Sequence, residues 1–252
     1  MIRLGIRVRA EDAELAYARL EPLLAAGAEE VAHGDVVEFA VYGEAPPSDA
    51  EVAALAGDAL VEVVRSPVDS GWARAWQAHL TPVAAGAFTI RPPWLEGGPD
   101  DLVIDPGPSF GAASHPTTRL CLELLGELGR TGLADWGCGS GVLAIAGARL
   151  GFAPVVAVEL DAAAAHVARR NAARNGVDVE VLVGDVTVDP PAAETVVANL
   201  TLPLLRALRV PAGVRVLVAS GLLAREPFAV PGFAERERRE LDGWAAIVLE
   251  RA

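Results

Sequence analysis

A glycine-rich turn constrains the fold more than any other feature of this sequence. The stretch Asp135-Trp-Gly-Cys-Gly-Ser-Gly141 lies between an apolar segment and an alanine-rich one. Closely spaced glycines permit a tight strand-to-helix turn and let backbone N–H groups approach a ligand at the helix N-terminus. A dinucleotide site would need a glycine at Val142, and a phosphate-binding loop would need a Gly-Lys pair, which a chain without lysine lacks. The turn therefore predicts a different ligand.

The segments around this turn alternate between strand and helix patterns. Helices are predicted at residues 117–129, 141–151 and 162–175. Strands are predicted at the stretches LADWG, VVAVEL, VEVLVG, TVVANL, VRVLVASG and WAAIVLE. This rhythm is typical of an α/β domain with a Rossmann-like, doubly wound, mostly parallel sheet and helices on both faces. We assign this domain to residues 84–252.

Polar residues stand at the ends of successive predicted strands, where open α/β sheets bind their ligands. Glu159 ends the second strand and can accept hydrogen bonds from ribose hydroxyls. Asp185 follows the third strand, near where an adenine amine would lie, and Asn199 ends the fourth. A backbone cradle, a ribose-binding carboxylate and a polar contact for adenine fit S-adenosylmethionine, which carries no phosphate. Asp161 is the rival for the ribose contact, but its position predicts a helix cap.

The first 65 residues predict a separate small domain. Its pattern is a strand at 2–9, a helix at 11–26, strands on either side of His33–Asp35, a helix capped by Ser48 and a strand at 61–65. This order predicts a ferredoxin-like α+β domain. Residues 66–83 predict a linker helix with Trp72 and Trp76 on one face, and the simplest role for these tryptophans is packing.

Composition narrows the function classes. The net charge of −13 combines 34 acidic residues with 21 basic ones, all arginine. Such a chain is poorly suited to nucleic-acid binding and better suited to a basic protein partner, although acidity alone is equally compatible with a role in solubility. Cys121 and Cys138 belong to no metal-binding or disulfide pattern, so we expect no metal. We see no signal peptide and no membrane span, and we expect a cytoplasmic monomer.

The sequence resembles the PrmA family, the methyltransferases of ribosomal large-subunit protein eleven. The resemblance rests on DPGPSFGAASHPTTRLCLELL, DWGCGSGVLAIAGARLG, VELD, NAARNGV and VANLTLPLL, and on GWARAWQAHLTPV in the linker. It covers the catalytic half and the linker, and it is only architectural in the first 65 residues. It implies methylation of amino groups on a ribosomal protein, with recognition by the small domain. The cofactor contacts it implies are Thr118, Gly137, Glu159 and Asn199.

One departure from the family pattern lies before the His-Pro-Thr-Thr run. Ala112 and Ala113 stand where the family has threonine and glycine, and this change leaves more than one substrate class open. Alternatives are a methyltransferase for another protein lysine or a small molecule, and a degenerate cofactor-binding interaction module. We assign acceptor orientation to Asn199, with His115 at the same opening. The cofactor-binding residues we expect are Thr118, Gly137, Gly139, Gly141, Glu159, Asp185 and Asn199.

Overall fold

The computed structural model divides the chain into two compact units, Met1–Leu80 and Thr81–Ala252. It describes residues 2–24, 28–43, 46–67, 80–106 and 114–252. Trp72 and Trp76, on which the predicted linker helix rests, lie outside these ranges. No helix in the described part of the chain is long and apolar enough to cross a membrane.

In its described residues, the first unit is a four-stranded antiparallel sheet with two helices. Its elements are β1 (Ile2–Arg9), α1 (Ala13–Leu24), β2 (Glu29–His33), β3 (Val36–Gly43), α2 (Asp49–Ala56) and β4 (Leu60–Pro67). The strand order is β2-β3-β1-β4, and every neighbouring pair is antiparallel. This connectivity is the ferredoxin-like topology that the sequence predicts.

The two faces of this sheet differ in chemistry. Leu4, Ile6 and Phe39 are buried among apolar residues of α1 and α2, while Arg3 and Arg7 lie on the opposite face. Both arginines contact Glu38, which is almost fully buried. Burial raises the pKa of Glu38, but hydrogen bonds from the two arginines outweigh that effect and hold its pKa below the ordinary value. The predicted cap of α2 is present, because the Ser48 side chain and Glu51 form a capping box.

The second unit contains two sheets. A small sheet is formed by β5 (Val83–Ala85), β6 (Phe88–Arg91) and β7 (Leu102–Val103). The large sheet and its helices comprise α3 (Pro116–Glu127), β8 (Leu133–Trp136), α4 (Val142–Leu150), β9 (Val155–Glu159), α5 (Ala162–Arg174), β10 (Glu180–Val183), β11 (Thr195–Asn199), α6 (Leu202–Ala207), β12 (Val216–Leu223), β13 (Phe233–Leu241) and β14 (Trp244–Arg251).

The large sheet has the strand order β10-β9-β8-β11-β12-β14-β13. The first five strands are parallel, and β14 is antiparallel to both of its neighbours. The chain leaves β8 towards one edge and later returns to β11 on the other side of β8. This reversal makes the carboxyl ends of β8 and β11 the topological switch point, where such sheets bind ligands. The predicted fold class is confirmed.

The helices cover the two faces of the sheet unequally. Apolar residues of α3, α4 and α5 pack on one face, around Leu133, Val155 and Val197. The other face, around Trp136, is covered by the six-residue α6 and by loop residues such as Phe228. The expectation of helices on both faces is met, with the second face covered by a short helix and loops. The proline-rich stretches after β10 and β12 form loops, because proline removes a backbone donor that a helix needs.

Strand β13 is an element that the sequence pattern did not reveal. Its sequence, FAERERREL, has no apolar alternation because it is the edge strand of the sheet. Charged side chains on an edge strand oppose pairing with another chain. Arg239 also connects this edge to the C-terminal end of α3 through Glu127 at 2.6 Å.

The close approach of β12 to the loop after β11 predicts the effect of a substitution at Gly221. Gly221 lies at a bulge with φ +91°, and an added Cβ would lie 2.1 Å from the Leu200 carbonyl oxygen. Gly221→Ala should lower the free energy of unfolding by at least about 2 kcal/mol, measured by urea denaturation. Gly126→Ala is the control, because Gly126 has open space around it. Equal stability of the two variants would contradict this account of the bulge.

Candidate functional site

The glycine-rich turn is fixed to the end of the neighbouring strand. The N–H groups of Gly137 and Cys138 both donate to the Val158 carbonyl at 2.9 Å. Gly137, Gly139 and Gly141 have φ values of 74°, 53° and 80°, in the left-handed region that favours glycine. The turn predicted from the sequence therefore leads from β8 into α4.

Neighbouring side chains also leave little space for a Cβ atom at two of these glycines. A Cβ on Gly137 would lie 2.4 Å from Leu200 Cδ2, and a Cβ on Gly141 would lie 3.0 Å from Ala168 Cβ. The turn is thus packed between the loop after β11 and the helix α5. Substituting either glycine would strain the backbone of the turn, and the neighbouring side chain of Leu200 or Ala168 would have to shift.

A buried carboxyl group lies beneath the turn. Asp135 is 1% exposed, and its Oδ2 accepts the Ala144 N–H of α4 at 3.0 Å. Burial raises its pKa to about 7, and the nearby negative charge of Glu159 acts in the same direction. Asp135 therefore changes protonation near neutral pH.

Glu159 contacts the turn directly. Its Oε2 accepts the Gly139 N–H at 2.9 Å, and its Oε1 accepts the Asp161 N–H at 3.1 Å. Each oxygen has two lone pairs, so both can accept a further hydrogen bond. Asp161 caps α5 through the Ala163 N–H, as the sequence predicts.

Asp185 lies beside Glu159 at the end of β10. The Gly184 N–H donates to the Glu159 carbonyl at 3.0 Å, and Asp185 is exposed. A hydrogen bond from the Thr187 hydroxyl is the main cause of its lowered pKa. Two apolar side chains at these strand ends, Leu160 and Val183, are 69% and 52% exposed. This part of the edge thus offers a carboxylate beside uncovered apolar surface.

The other side of the switch point brings two predicted residues together. Asn199 Nδ2 lies 3.4 Å from the Thr118 hydroxyl, although the residues are 81 positions apart. Thr118 is buried in the first turn of α3, and its N–H donates to the His115 carbonyl. The His115 ring packs edge-on against Trp244, with ring centroids 4.9 Å apart.

His115 is the N-cap of α3. Its Nδ1 accepts the Thr117 N–H at 3.3 Å and lies 2.7 Å from the Thr117 hydroxyl. Burial lowers its pKa, which favours the neutral ring at neutral pH. Because Nδ1 acts as an acceptor in the cap, the proton of the neutral ring is assigned to Nε2. His115 cannot take a proton at Nδ1 while it caps the helix.

Some predicted features remain unplaced, and some residues were missed. Ala112 and Ala113 lie outside the described residues. The sequence pattern places Trp244 in a strand but does not indicate that its indole packs against His115. Asn171 and Asn175 belong to the family motif NAARNGV, which does not by itself indicate their hydrogen bonds. Their spacing of four residues on one helix was the available signal, because it places both amides on one face.

Within the described ranges, no group of three or more His, Cys, Asp or Glu residues could hold a metal ion.

The strand order and the site together define a class I methyltransferase fold. A family model described as ribosomal protein L11 methyltransferase (PrmA) matches residues 4–251. The chain belongs to the PrmA family, as the sequence resemblance indicates.

Individual relatives agree with this assignment. The ribosomal protein L11 methyltransferase of Geobacter sulfurreducens is 41% identical over 195 residues, which are 73% of this chain and 63% of that protein. That of Pelotomaculum thermopropionicum is 39% identical over 216 residues, 77% of this chain and 70% of that protein. A crystal structure of ribosomal protein L11 methylase from Lactobacillus delbrueckii subsp. bulgaricus aligns with a TM-score of 0.56 and 26% identity, covering 65% of this chain and 94% of that one. The chain spans 63% and 64% of the length of two Geobacter relatives.

The raised pKa of Asp135 predicts a pH-dependent stability. Between its ordinary value of 3.8 and about 7, the folded chain keeps a proton that the unfolded chain has released. Stability should therefore fall as pH rises through this window, by up to about 1.4 kcal/mol per pH unit. Asp135→Asn keeps an oxygen for the Ala144 N–H and should remove that part of the decline.

Urea denaturation at about pH 5 and pH 7 measures the difference. Asp185→Asn is the control, because the lowered pKa of Asp185 places its titration below this window. If wild type and Asp135→Asn lose the same stability between the two pH values, Asp135 does not titrate there.

Proposed function

We propose that this chain transfers methyl groups from S-adenosylmethionine to amino groups of a ribosomal large-subunit protein, on lysine side chains or the N-terminus. The observation that carries the proposal is the convergence of two groups of residues at one switch point. The glycine-rich turn and Glu159 lie on one side, and the Thr118–Asn199 pair lies on the other. A cofactor on the first side would present its reactive end to an acceptor on the second. Family membership supports the same reaction.

The residues on the cofactor side fit S-adenosylmethionine. Glu159 keeps acceptor capacity for ribose hydroxyls after its two backbone hydrogen bonds. Leu160 and Val183 offer exposed apolar surface for an adenine ring, and Asp185 can accept from its amine. Gly137 and Gly139 are partly exposed in the turn before α4, whereas Gly141 is buried against Ala168 and shapes the turn. We assign the partly exposed backbone of the turn to the cofactor, and Thr118 and Asn199 to the far end of the cofactor.

On the acceptor side, positioning is the main task of the protein. S-adenosylmethionine supplies a methyl group on a sulfonium, and an amine must be neutral and aligned to receive it. We assign to Asn199 the orientation of that amine, through its amide beside Thr118. His115 and Trp244 would form an aromatic wall at the same opening. With Nδ1 occupied in the helix cap, His115 lines the acceptor position better than it serves as a base.

Charge supports a basic protein as the substrate. Residues 1–67 contain 13 acidic and 5 basic residues, so the first unit holds most of the net charge of −13. Complementary potential steers a basic partner towards such a surface. We therefore assign substrate recognition to the first unit, and we expect the chain to act as a monomer in the cytoplasm, where ribosomal proteins are made.

The cofactor assignment predicts the effect of removing the Glu159 charge. Glu159→Gln replaces charge-assisted hydrogen bonds to the ribose by neutral ones, so affinity for S-adenosylmethionine should fall by about 1.5–3 kcal/mol. Calorimetric titration measures it, with Asp161→Asn as the control because Asp161 is occupied in capping α5. Unchanged affinity in Glu159→Gln would remove Glu159 from the site. No binding to wild type would indicate an interaction module that has lost the cofactor.

The substrate assignment predicts separable functions. A chain truncated to Thr81–Ala252 should bind S-adenosylmethionine like the full chain but lose most of its methylation of the ribosomal protein. Mass spectrometry of the substrate measures the methyl groups. Because this chain contains no lysine, every methyl-lysine in the mixture must belong to the substrate. Full activity of the truncated chain would show that the first unit is not the recognition domain, and activity on small amines alone would favour a small-molecule substrate.

A further inference from the structure

A buried asparagine joins the glycine-rich turn to a distant extended segment. Asn171, in the second half of α5, is fully buried. Its Nδ2 donates to the Ser140 carbonyl at 2.9 Å and to the Asp105 carbonyl at 2.8 Å. Its Oδ1 accepts the Asp105 N–H and an Arg174 N–H, both at 3.0 Å. All four hydrogen-bonding positions of the amide are therefore used.

The same helix makes a second pairing one turn later. Asn175 Oδ1 accepts the Val103 N–H at 2.9 Å, and its Nδ2 donates to the Val103 carbonyl at 2.8 Å. Four residues of a helix advance about 6.0 Å, and two residues of a strand advance about 6.6 Å. The two asparagines therefore match alternate residues of the extended segment. Each side-chain amide pairs with the backbone as a residue of a neighbouring strand would.

The two asparagines hydrogen-bond to the edge of the extended segment that faces away from β6. On its other edge, the segment is hydrogen-bonded to β6, where the Ile104 N–H donates to the Arg91 carbonyl at 2.8 Å. The side-chain amides satisfy the backbone groups of Val103 and Asp105 that face away from β6. Arg170 adds an ion pair to the Asp105 carboxylate at 3.1 Å.

Of the two asparagines, Asn171 also hydrogen-bonds to the glycine-rich turn. The Ser140 carbonyl that it binds belongs to the turn, between Gly139, which donates to Glu159, and Gly141, which begins α4. We propose that Asn171 is a positioning residue for the cofactor: its amide fixes the glycine-rich turn relative to the Asp105 backbone. This proposal rests on the proposed function, because it takes S-adenosylmethionine as the ligand of the turn.

Asn175 provides a matched comparison. It lies on the same helix and pairs with the same segment in the same way, and its remaining contact is the Asn171 carbonyl rather than the turn. Loss of either amide should weaken the packing of the segment. Loss of the Asn171 amide alone should also disturb the turn. A purely structural role predicts equal effects of the two residues on the cofactor.

The experiment compares Asn171→Asp with Asn175→Asp in the full-length chain. Aspartate keeps the acceptor oxygen but removes both N–H donors, so Asn171→Asp removes the hydrogen bond from residue 171 to the Ser140 carbonyl. We expect both variants to unfold at lower temperature. For Asn171→Asp we expect the Kd and KM for S-adenosylmethionine to rise about tenfold, with kcat within about twofold of wild type. For Asn175→Asp we expect Kd and KM within about twofold of wild type.

The assays are run well below the melting temperature of the weaker variant, so that unfolding does not contribute. If Asn171→Asp does not fold, Asn171→Ser replaces it, with Asn175→Ser as its control. Equal changes in cofactor affinity for the two positions, or no change at either, would overturn the proposal. Wild type that binds no S-adenosylmethionine would instead overturn the proposed function, and the same titration shows which has failed.

Discussion

The junction between β8 and β9 determines where everything else in the site lies. At this junction one carbonyl, that of Val158, accepts two N–H groups of the glycine-rich turn, and the next residue, Glu159, accepts a third. These bonds use backbone donors of the turn, which lie outside the hydrogen-bonding pattern of β8 and α4. They also place a carboxylate at the carboxyl edge of the sheet. The direction of α4 and the contact between the turn and the Glu159 carboxylate both follow from this one connection.

The reversal of strand order brings polar residues from both sides of β8 to the edge of the sheet where this junction lies. Glu159 and Asp185 follow strands on one side of β8, and Asn199 ends the strand on the other side. The Thr118 hydroxyl reaches Asn199 from α3, which precedes the whole sheet in the chain. Residues distant in sequence therefore meet at one edge of the large sheet. The sheet itself supplies the rigidity that methyl transfer by alignment would need.

The sequence was informative where structure depends on local pattern. Apolar strands followed by glycine or a polar residue predicted the turn, Glu159, Asp185 and Asn199 at strand ends, because strand periodicity and parallel order place those ends together. It was uninformative where the cause is distant. Strand β13 has its charged pattern because no strand lies beyond it, and Asn171 binds a backbone group 66 residues away. The cap formed by His115 depends on ring geometry that residue type alone does not specify.

The uneven covering of the sheet affects how the domain can change over evolution. One face carries three long helices whose packing leaves little freedom for insertions. The other face is covered by α6 and by loops, including those after β10 and β12. Lengthening a surface loop adds little closure entropy, about 0.6 kcal/mol for each doubling. New segments can therefore enter on that face while the β8–β9 junction stays in place. A domain of this fold can therefore acquire additional elements beside Asn199 without rebuilding the glycine-rich turn.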